Sequence, residues 1–348
     1  MTRGLRTTAV ALIVAAASLL PGPSQARDTT APAPLVWQTD VADPAVVRSN
    51  SGWVALATGA YIPGFVSPSG TGPFTSLGPT LTSAPPWMLP GGIWAPDVFR
   101  TTVGWVLYYS ARAAGVARSG RCIGVAIGPA ATGPFTPAGD VPLVCPPRVG
   151  WPSAEDELAD KEHFLPAGGV IDPSVFQEKD GRLFLLYKTQ SKPSTIRMLP
   201  LSRDGLHAAY PSRKIAHSRD TIENPVMVRR GRTWTLFTSE RSYVGCDYVT
   251  TWRQSSSKWS FPGPGSVLFD HSRTGICGPG GGDLVPAGKK RVRMYLHGWV
   301  CYRSDVPCPT DFRSRVDPDL FPIRGLYAAT LRFDTRGRPR FVDWVSPR

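Results

Sequence analysis

Apolar positions in this chain fall into short runs. WVALAT (Trp53–Thr58), WVLYYS (Trp105–Ser110), RLFLLYKT (Arg182–Thr189), TWTLFTSE (Thr233–Glu240), VRMYLHGW (Val292–Trp299) and LYAATLRF (Leu326–Phe333) each mix apolar or aromatic side chains with polar ones over six to eight residues. Runs of that length and β-rich composition, bounded by turn residues, are strand signals. Asp180-Gly181, between two such runs, marks a tight hairpin turn. Long helical periodicity is almost absent. The 35 glycines and 36 prolines, spread along 348 residues, break helices and supply turns. The pattern predicts an all-β protein.

The strands also repeat. DPAVVRSNSGWVALAT from Asp43, APDVFRTTVGWVLYYS from Ala95, DPSVFQEKDGRLFLLYKT from Asp172, ENPVMVRRGRTWTLFTS from Glu223 and GGDLVPAGKKRVRMYLHGW from Gly281 share one plan. Each has a short opening motif, an apolar strand, a polar turn and a second, aromatic-rich strand. Their starts lie 52, 77, 51 and 58 residues apart, near the length of a propeller blade. The long interval holds an extra acidic and aromatic loop, Val144–Phe164, placed to overhang a site. TGPFT recurs at Thr71–Thr75 and Thr132–Thr136, read here as following the second strand of the first two units. Five matching hairpins predict a five-bladed β-propeller, in which radial repetition protects the strand edges. A β-sandwich would not produce five equivalent opening motifs. The segment Leu35–Thr39 and a last strand at Leu326–Phe333 are expected to close the ring.

Composition adds a compartment. Arg3 and Arg6 precede an apolar run, Ala9–Leu20, and Ser24-Gln25-Ala26 reads as a small-x-small cleavage site. Residues 1–26 are thus expected to be a secretory signal peptide and 27–348 a single catalytic domain, secreted and without a membrane span. Six cysteines in an exported chain suggest disulfides, and proximity pairs Cys122 with Cys145, Cys246 with Cys277 and Cys301 with Cys308. The formal charge of +13, or +11 without Arg3 and Arg6, suits a soluble arginine-rich surface or attraction to anionic polysaccharide. The basic residues are scattered with no recognition motif, so nucleic acid is not an expected partner. A monomer is expected.

In a propeller the first strand of each blade lines the axis, so equivalent residues converge there. The opening position is read as Asp43, Ala95, Asp172, Glu223 and Gly281, acidic in three of five. Clustered carboxylates raise one another's pKa and cost stability, a cost accepted mainly for chemistry. Two carboxyl groups around a hole suit glycoside hydrolysis, one as acid and one as base. Glutamate among Ile222, Pro225 and Val226 suits the acid. No Gly-x-Ser-x-Gly elbow or metal-spaced histidine set competes, and Gly-rich Cys277–Asp283 is followed by no helix and reads as a backbone crossing at the channel.

The ordered motifs DPAVVR, WAPDV, IDPSV with a following YK, and IE-x-P-V resemble glycoside hydrolase family 43 over about Val36–Trp299. That resemblance implies a secreted five-bladed propeller cleaving arabinan, xylan or related plant polysaccharides with inversion. It implies Asp43 as general base, Asp172 as pKa modulator and orienter, and Glu223 as general acid. Trp94 would form an aromatic wall for the sugar; Trp37, beside the first strand entry, is a second stacking candidate, and Asn224, which stands where the family usually has a small residue, and His297 are the further substrate contacts. Gly278-Pro279-Gly280-Gly281 departs from the family's Gly-Pro-Gly-His, so no metal ligand is assigned; no cofactor is required, and a structural calcium is left open. His297 is the residue that would compensate. The first motif lacks the Asn-Asp-Pro-Asn-Gly of fructan-cleaving relatives. A carbohydrate-binding propeller with impaired catalysis is the alternative reading.

Overall fold

The structure is a computed structural model that describes Met1 and residues 31–50, 52–114, 116, 120–146, 168–190, 192–288 and 291–347. The signal-like segment, after Met1, and all of the Val144–Phe164 loop beyond residue 146 lie outside the described residues.

Five four-stranded antiparallel sheets follow one another along the chain. Blade I holds β1 (Ala45–Ser49), β2 (Gly52–Leu56), β3 (Pro63–Ser67) and β4 (Thr75–Pro79). Blade II holds β5 (Trp94–Thr101), β6 (Gly104–Arg112), β7 (Arg121–Gly128) and β8 (Thr136–Pro137). Blade III holds β9 (Val170–Gln177), β10 (Leu183–Thr189), β11 (Ser194–Pro200) and β12 (Arg213–Ser218). Blade IV holds β13 (Ile222–Arg230), β14 (Thr233–Glu240), β15 (Val249–Ser255) and β16 (Ser266–Phe269). Blade V holds β17 (Cys277–Pro286), β18 (Arg291–Val300), β19 (Ile323–Phe333) and β20 (Pro339–Trp344). The fold is the expected five-bladed β-propeller. No helix among the described residues is long and apolar enough to cross a membrane.

Ring closure differs from the expectation. Leu326–Phe333 lies in the third strand of blade V, and PRFVDW supplies the fourth after the Asp334–Gly337 turn. All four strands of that blade therefore come from the C-terminal part of the chain. The N-terminal segment adds a single bridge, Val36 to Leu326, beyond the part of β19 that β20 covers. Both TGPFT loops likewise lie between third and fourth strands, not after the second.

The apolar pattern explains why the blades pack. In β10, Leu183, Leu185 and Tyr187 point into the gap with blade II, where Val106, Tyr108 and Ile123 meet them. Phe184 and Leu186 point the other way, against Ile222, Met227 and Leu236 of blade IV. A strand buried on both faces reads as a near-continuous apolar run, which is why LFLLY does not alternate cleanly. Equivalent clusters fill the gaps between blades I and II, IV and V, and V and I. Each fully buried Leu or Phe contributes about 1.5–3 kcal/mol, so the side-by-side packing of blades holds the ring closed. The three expected disulfides are present: Cys122–Cys145, Cys246–Cys277 and Cys301–Cys308.

Candidate active site

Each blade's first strand begins with the same distortion. Asp43, Ala95, Asp172, Asn224 and Gly281 have φ of 47°, 43°, 60°, 46° and 60°, and each is followed by proline or, after Gly281, by Gly282. Strand pairing skips at these points. Trp94 pairs with Ser110 and Asp97 with Tyr108; Glu223 pairs with Ser239 and Val226 with Phe237. Two first-strand residues thus oppose one second-strand residue, a β-bulge. Proline fits there because its missing N–H removes no ladder bond. A non-glycine residue in the left-handed region costs about 1–2 kcal/mol, so four of these five positions store strain at the axis.

The bulges correct the alignment of blade IV. The sequence alignment sets Glu223 level with Asp43 and Asp172, but the kinked residue is Asn224. Glu223 stands one residue earlier, level with Ala42, Trp94, Ile171 and Gly280. It was matched on its charge, whereas the backbone repeats on the residue before proline.

Side chains from the preceding blade cap the kinked N–H groups. Thr58 Oγ1 accepts from Ala95 N at 2.8 Å, Ser110 Oγ from Asp172 N at 3.2 Å, and Ser239 Oγ from Gly281 N at 2.9 Å. His297 Nδ1 accepts from Asp43 N at 3.0 Å. Thr58 follows β2, and the other three lie on second strands at the equivalent level. In blade III that level belongs to Lys188, paired with Ile171. An ammonium group has no lone pair to offer. Asp172 Oδ2 takes over, accepting from Asn224 N at 3.0 Å. Lys188 instead places Nζ 2.5 Å from Glu223 Oε2.

The result is a pocket of about 160 Å³ lined by Asp43, Asp172 and Glu223 from blades I, III and IV, with Trp94, Tyr248 and Arg324 among its other walls. Asp43 Oδ2 accepts from Thr58 Oγ1 at 2.7 Å, and Asp43 Oδ1 from Asn224 Nδ2 at 3.4 Å. The Tyr248 hydroxyl lies 2.7 Å from both Glu223 Oε1 and Asn224 Oδ1. Burial pushes the Asp172 carboxyl up to about 8, with Glu223 and then Asp43 adding to it against Lys188 and the Asn224 N–H. Burial alone would lower the Lys188 ammonium, but Glu223 and Asp172 outweigh it and raise it. Burial, then the Glu223 and Asp43 carboxyls, push the Tyr248 hydroxyl far above its ordinary range. Burial lowers His297 to about 4, so its ring is neutral at neutral pH. With Nδ1 accepting, the ring proton sits on Nε2.

Below the pocket the axis is nearly shut, leaving about 30 Å³ between the five bulges. Asp97 and Asp283, each two residues after a kink, stitch neighbouring first strands together. Asp97 Oδ2 accepts from Val175 N, and Asp283 Oδ2 from Val46 N, both at 2.6 Å. Burial, then Asp283, raises Asp97 to about 8, and burial raises Asp283 to about 6.

Four of the expected substrate contacts are placed as follows. Trp94 lines the pocket, with the Arg121 guanidinium stacked over its ring. Asn224 and His297 also line it, but Asn224 bonds to Asp43, Asp172 and Tyr248, and His297 is only 2% exposed and braces Asp43. Both are supports of the carboxyl groups in this arrangement. Trp37 does not line the pocket; its segment crosses to blade V, and the ring packs on the apolar cluster between blades IV and V. Residues that sequence reasoning passed over include Lys188, Tyr248, Thr58 and Arg324, which pairs with Asp40 at 3.0 Å. Among the described residues, no group of three or more His, Cys, Asp or Glu is arranged to hold a metal ion.

Comparison with solved structures finds the same fold. A thermostable family-43 glycoside hydrolase superposes with a TM-score of 0.65 at 18% identity, covering 89% of this chain and 95% of its own. The Cellvibrio cellulosa alpha-L-arabinanase complexed with arabinohexaose gives 0.65 at 20% identity, with 88% and 96% covered. An endo-1,4-beta-xylanase from Bacteroides thetaiotaomicron gives 0.62 at 16%, with 90% and 98% covered. A search of curated proteins finds no match. The sequence profile of glycosyl hydrolases family 43 matches residues 33–307, and the chain belongs to that family.

Proposed function

We propose that the protein is a secreted, inverting glycoside hydrolase that cleaves arabinofuranosyl or xylosyl linkages of plant polysaccharides such as arabinan, arabinoxylan and xylan. The observation that carries this reading is the convergence of Asp43, Asp172 and Glu223, from three blades, on one pocket at the end of the axis. Two carboxyl groups on one small cavity are the minimum for acid–base cleavage of a glycosidic bond. The named activities of the similar structures, an arabinanase and a xylanase, support the sugar class. Export is supported by the N-terminal sequence and by three disulfides in a chain with no free cysteine among the described residues.

In this mechanism Asp43, held by Thr58 and Asn224, takes a proton from the attacking water. Glu223 donates a proton to the departing glycosidic oxygen. Water approaches the anomeric carbon from the face opposite the leaving group, so configuration inverts. Asp172 orients the acid through the Asn224 N–H and shares its electrostatic environment through Lys188. Trp94 offers an aromatic surface beside the reacting sugar.

The test is a panel of aryl α-L-arabinofuranoside, aryl β-D-xyloside, linear arabinan and xylan, with proton NMR of the first-formed anomer. The wild type is expected to cleave at least one and release the inverted anomer. Asp43→Asn and Glu223→Gln are each expected to lose at least about 10²-fold on the polysaccharide. Retained configuration would refute the mechanism. Undiminished activity in Glu223→Gln would refute the acid assignment, and binding without cleavage would make this a carbohydrate-binding propeller.

A further inference from the structure

Hydrogen-bond direction around Tyr248 is over-determined. The hydroxyl has one proton but lies 2.7 Å from two oxygens, Glu223 Oε1 and Asn224 Oδ1. The amide is oriented by its other end, where Nδ2 donates to Asp43 Oδ1. Turning the amide over would set two acceptor oxygens against each other. Oδ1 therefore faces Tyr248, and as an amide oxygen it can only accept. The tyrosine proton goes to Asn224, which leaves the tyrosine oxygen as an acceptor toward Glu223. Glu223 fills that contact only by presenting a hydrogen on Oε1.

A second observation supplies the proton. Asp172 is buried beside Glu223; Lys188 bonds to Glu223 and acts on Asp172 through its charge, as does Arg121 on β7. Two desolvated carboxyl groups with one ammonium bonded between blades III and IV retain a proton between them, because burial and their mutual repulsion outweigh the cations, and burial alone does not say which oxygen holds it. The groups facing Glu223 are Lys188 on β10, Asp172 on β9, Asp43 before β1, Tyr243 and Tyr248 between β14 and β15, His297 on β18 and Arg324 on β19. Lys188 donates to Oε2, leaving Oε1 to make the contact with Tyr248.

We propose that Tyr248 and Asn224 are positioning residues that hold the shared proton of the Asp172–Glu223 pair on Glu223 Oε1. The acid is thereby loaded while Asp43 accepts from the same asparagine, so one hydrogen-bonded chain sets acid and base in opposite roles. This deepens the glycosidase reading and rests on it for its kinetic consequence. Tyr248 suits the task because it is buried, stacked on His297 at 5.9 Å and 12°, and keeps its proton.

The experiment compares wild type, Tyr248→Phe and Asn224→Gly, the last chosen because glycine tolerates the left-handed backbone there. Melting curves confirm folding. Substrates are a dinitrophenyl glycoside, whose leaving group needs no protonation, and an unactivated oligosaccharide of the same sugar. Tyr248→Phe is expected to lose about 10²-fold on the second substrate, the size of general acid catalysis, and far less on the first; Asn224→Gly, which also releases Asp43, is expected to lose on both and more on the second. The alkaline limb of the oligosaccharide pH profile is expected to move down by about one unit, the effect of one hydrogen bond. Equal losses on both substrates with an unmoved limb would overturn the proposal.

Infrared spectra of protein carrying ¹³C-carboxyl glutamate give a readout that needs no turnover. At neutral pH the wild type is expected to show a protonated glutamate band that is absent from Glu223→Gln and weakened in Tyr248→Phe. An ionised Glu223 in the wild type overturns the proposal. If the wild type cleaves nothing, the glycosidase reading fails, while the infrared result still decides where the proton sits.

Discussion

Replacing Gly281 by alanine tests the packing that anchors the base. A Cβ at residue 281 would lie 2.5 Å from both Cε1 and Nδ1 of His297 and 3.2 Å from Asp43 Oδ1. Backbone strain alone does not forbid the substitution, since Ala95 carries a methyl group at the equivalent kink with φ 43°. The obstacle is the imidazole, which must withdraw by about 1 Å to reach normal contact of about 3.5 Å. It is 2% exposed and stacked on Tyr248, so it has little room to yield. Withdrawal breaks its bond to Asp43 N, and an orphaned buried N–H costs about 1–3 kcal/mol. With about 1–2 kcal/mol for alanine over glycine in the left-handed region, Gly281→Ala should lower unfolding stability by about 2–5 kcal/mol in urea. It should also lower kcat/KM through a displaced Asp43. His297→Ser offers the rescue, because serine or threonine performs the same capping in blades I, II and IV. The double variant should recover at least half of the stability lost by Gly281→Ala. A Gly281→Ala protein as stable as wild type would refute the reasoning, as would strict additivity of the two changes.

Other consequences are equally direct. Asp97 holds its proton in the folded protein up to about pH 8, where an unfolded aspartate has lost its own near 3.8, and the Asp172–Glu223 pair keeps one proton between its two carboxyl groups over the same range. Their contribution is therefore complete below about pH 4 and lost as pH rises to 8, at up to about 1.4 kcal/mol per pH unit for each proton. Asp97→Asn, which keeps an oxygen for Val175 N, should remove one group's share of that slope in urea melts across this range; an unchanged slope would show that Asp97 is ionised when folded. Glu178 is buried between Lys258 at 2.8 Å and Arg229 at 2.7 Å, clasping the β9–β10 turn to blade IV. Glu178→Ala leaves two cations uncompensated and should cost about 3–5 kcal/mol with kcat preserved, since the clasp lies outside the pocket. A loss below about 1 kcal/mol would mean the cations find water instead.

Much of this was legible in the chain because the propeller repeats its chemistry as well as its shape. The five hairpins, the disulfide pairs and the two Asp-Pro openings all follow from local rules. The error at Glu223 arose from aligning charge instead of the residue before proline; the column Asp43, Ala95, Asp172, Asn224, Gly281 marks the kink in every blade. The capping column Thr58, Ser110, Lys188, Ser239, His297 was equally visible at the ends of the aligned second strands, and its shared task appears only once neighbouring blades are side by side. Tyr248 and Arg324 left no such trace. One sits in a connection and the other at the start of a third strand, and neither position repeats. Trp37 misled because nearness to the first opening motif in sequence is not nearness to the axis when the intervening chain pairs with blade V.

Lys188 is the residue that ties these columns together. At its level every other blade supplies an oxygen or nitrogen lone pair to the next kink, and a lysine cannot. A serine there would free Asp172 from capping Asn224, but it would also strip the cation from two buried carboxyl groups. The substitution at one position of an otherwise regular ring therefore does two things at once. It makes Asp172 a fixed acceptor at the blade III–IV junction, and it lets Asp172 and Glu223 lie buried in one cavity without two unbalanced charges. Regular capping holds the bulges in four junctions; the irregular one is where the acid sits.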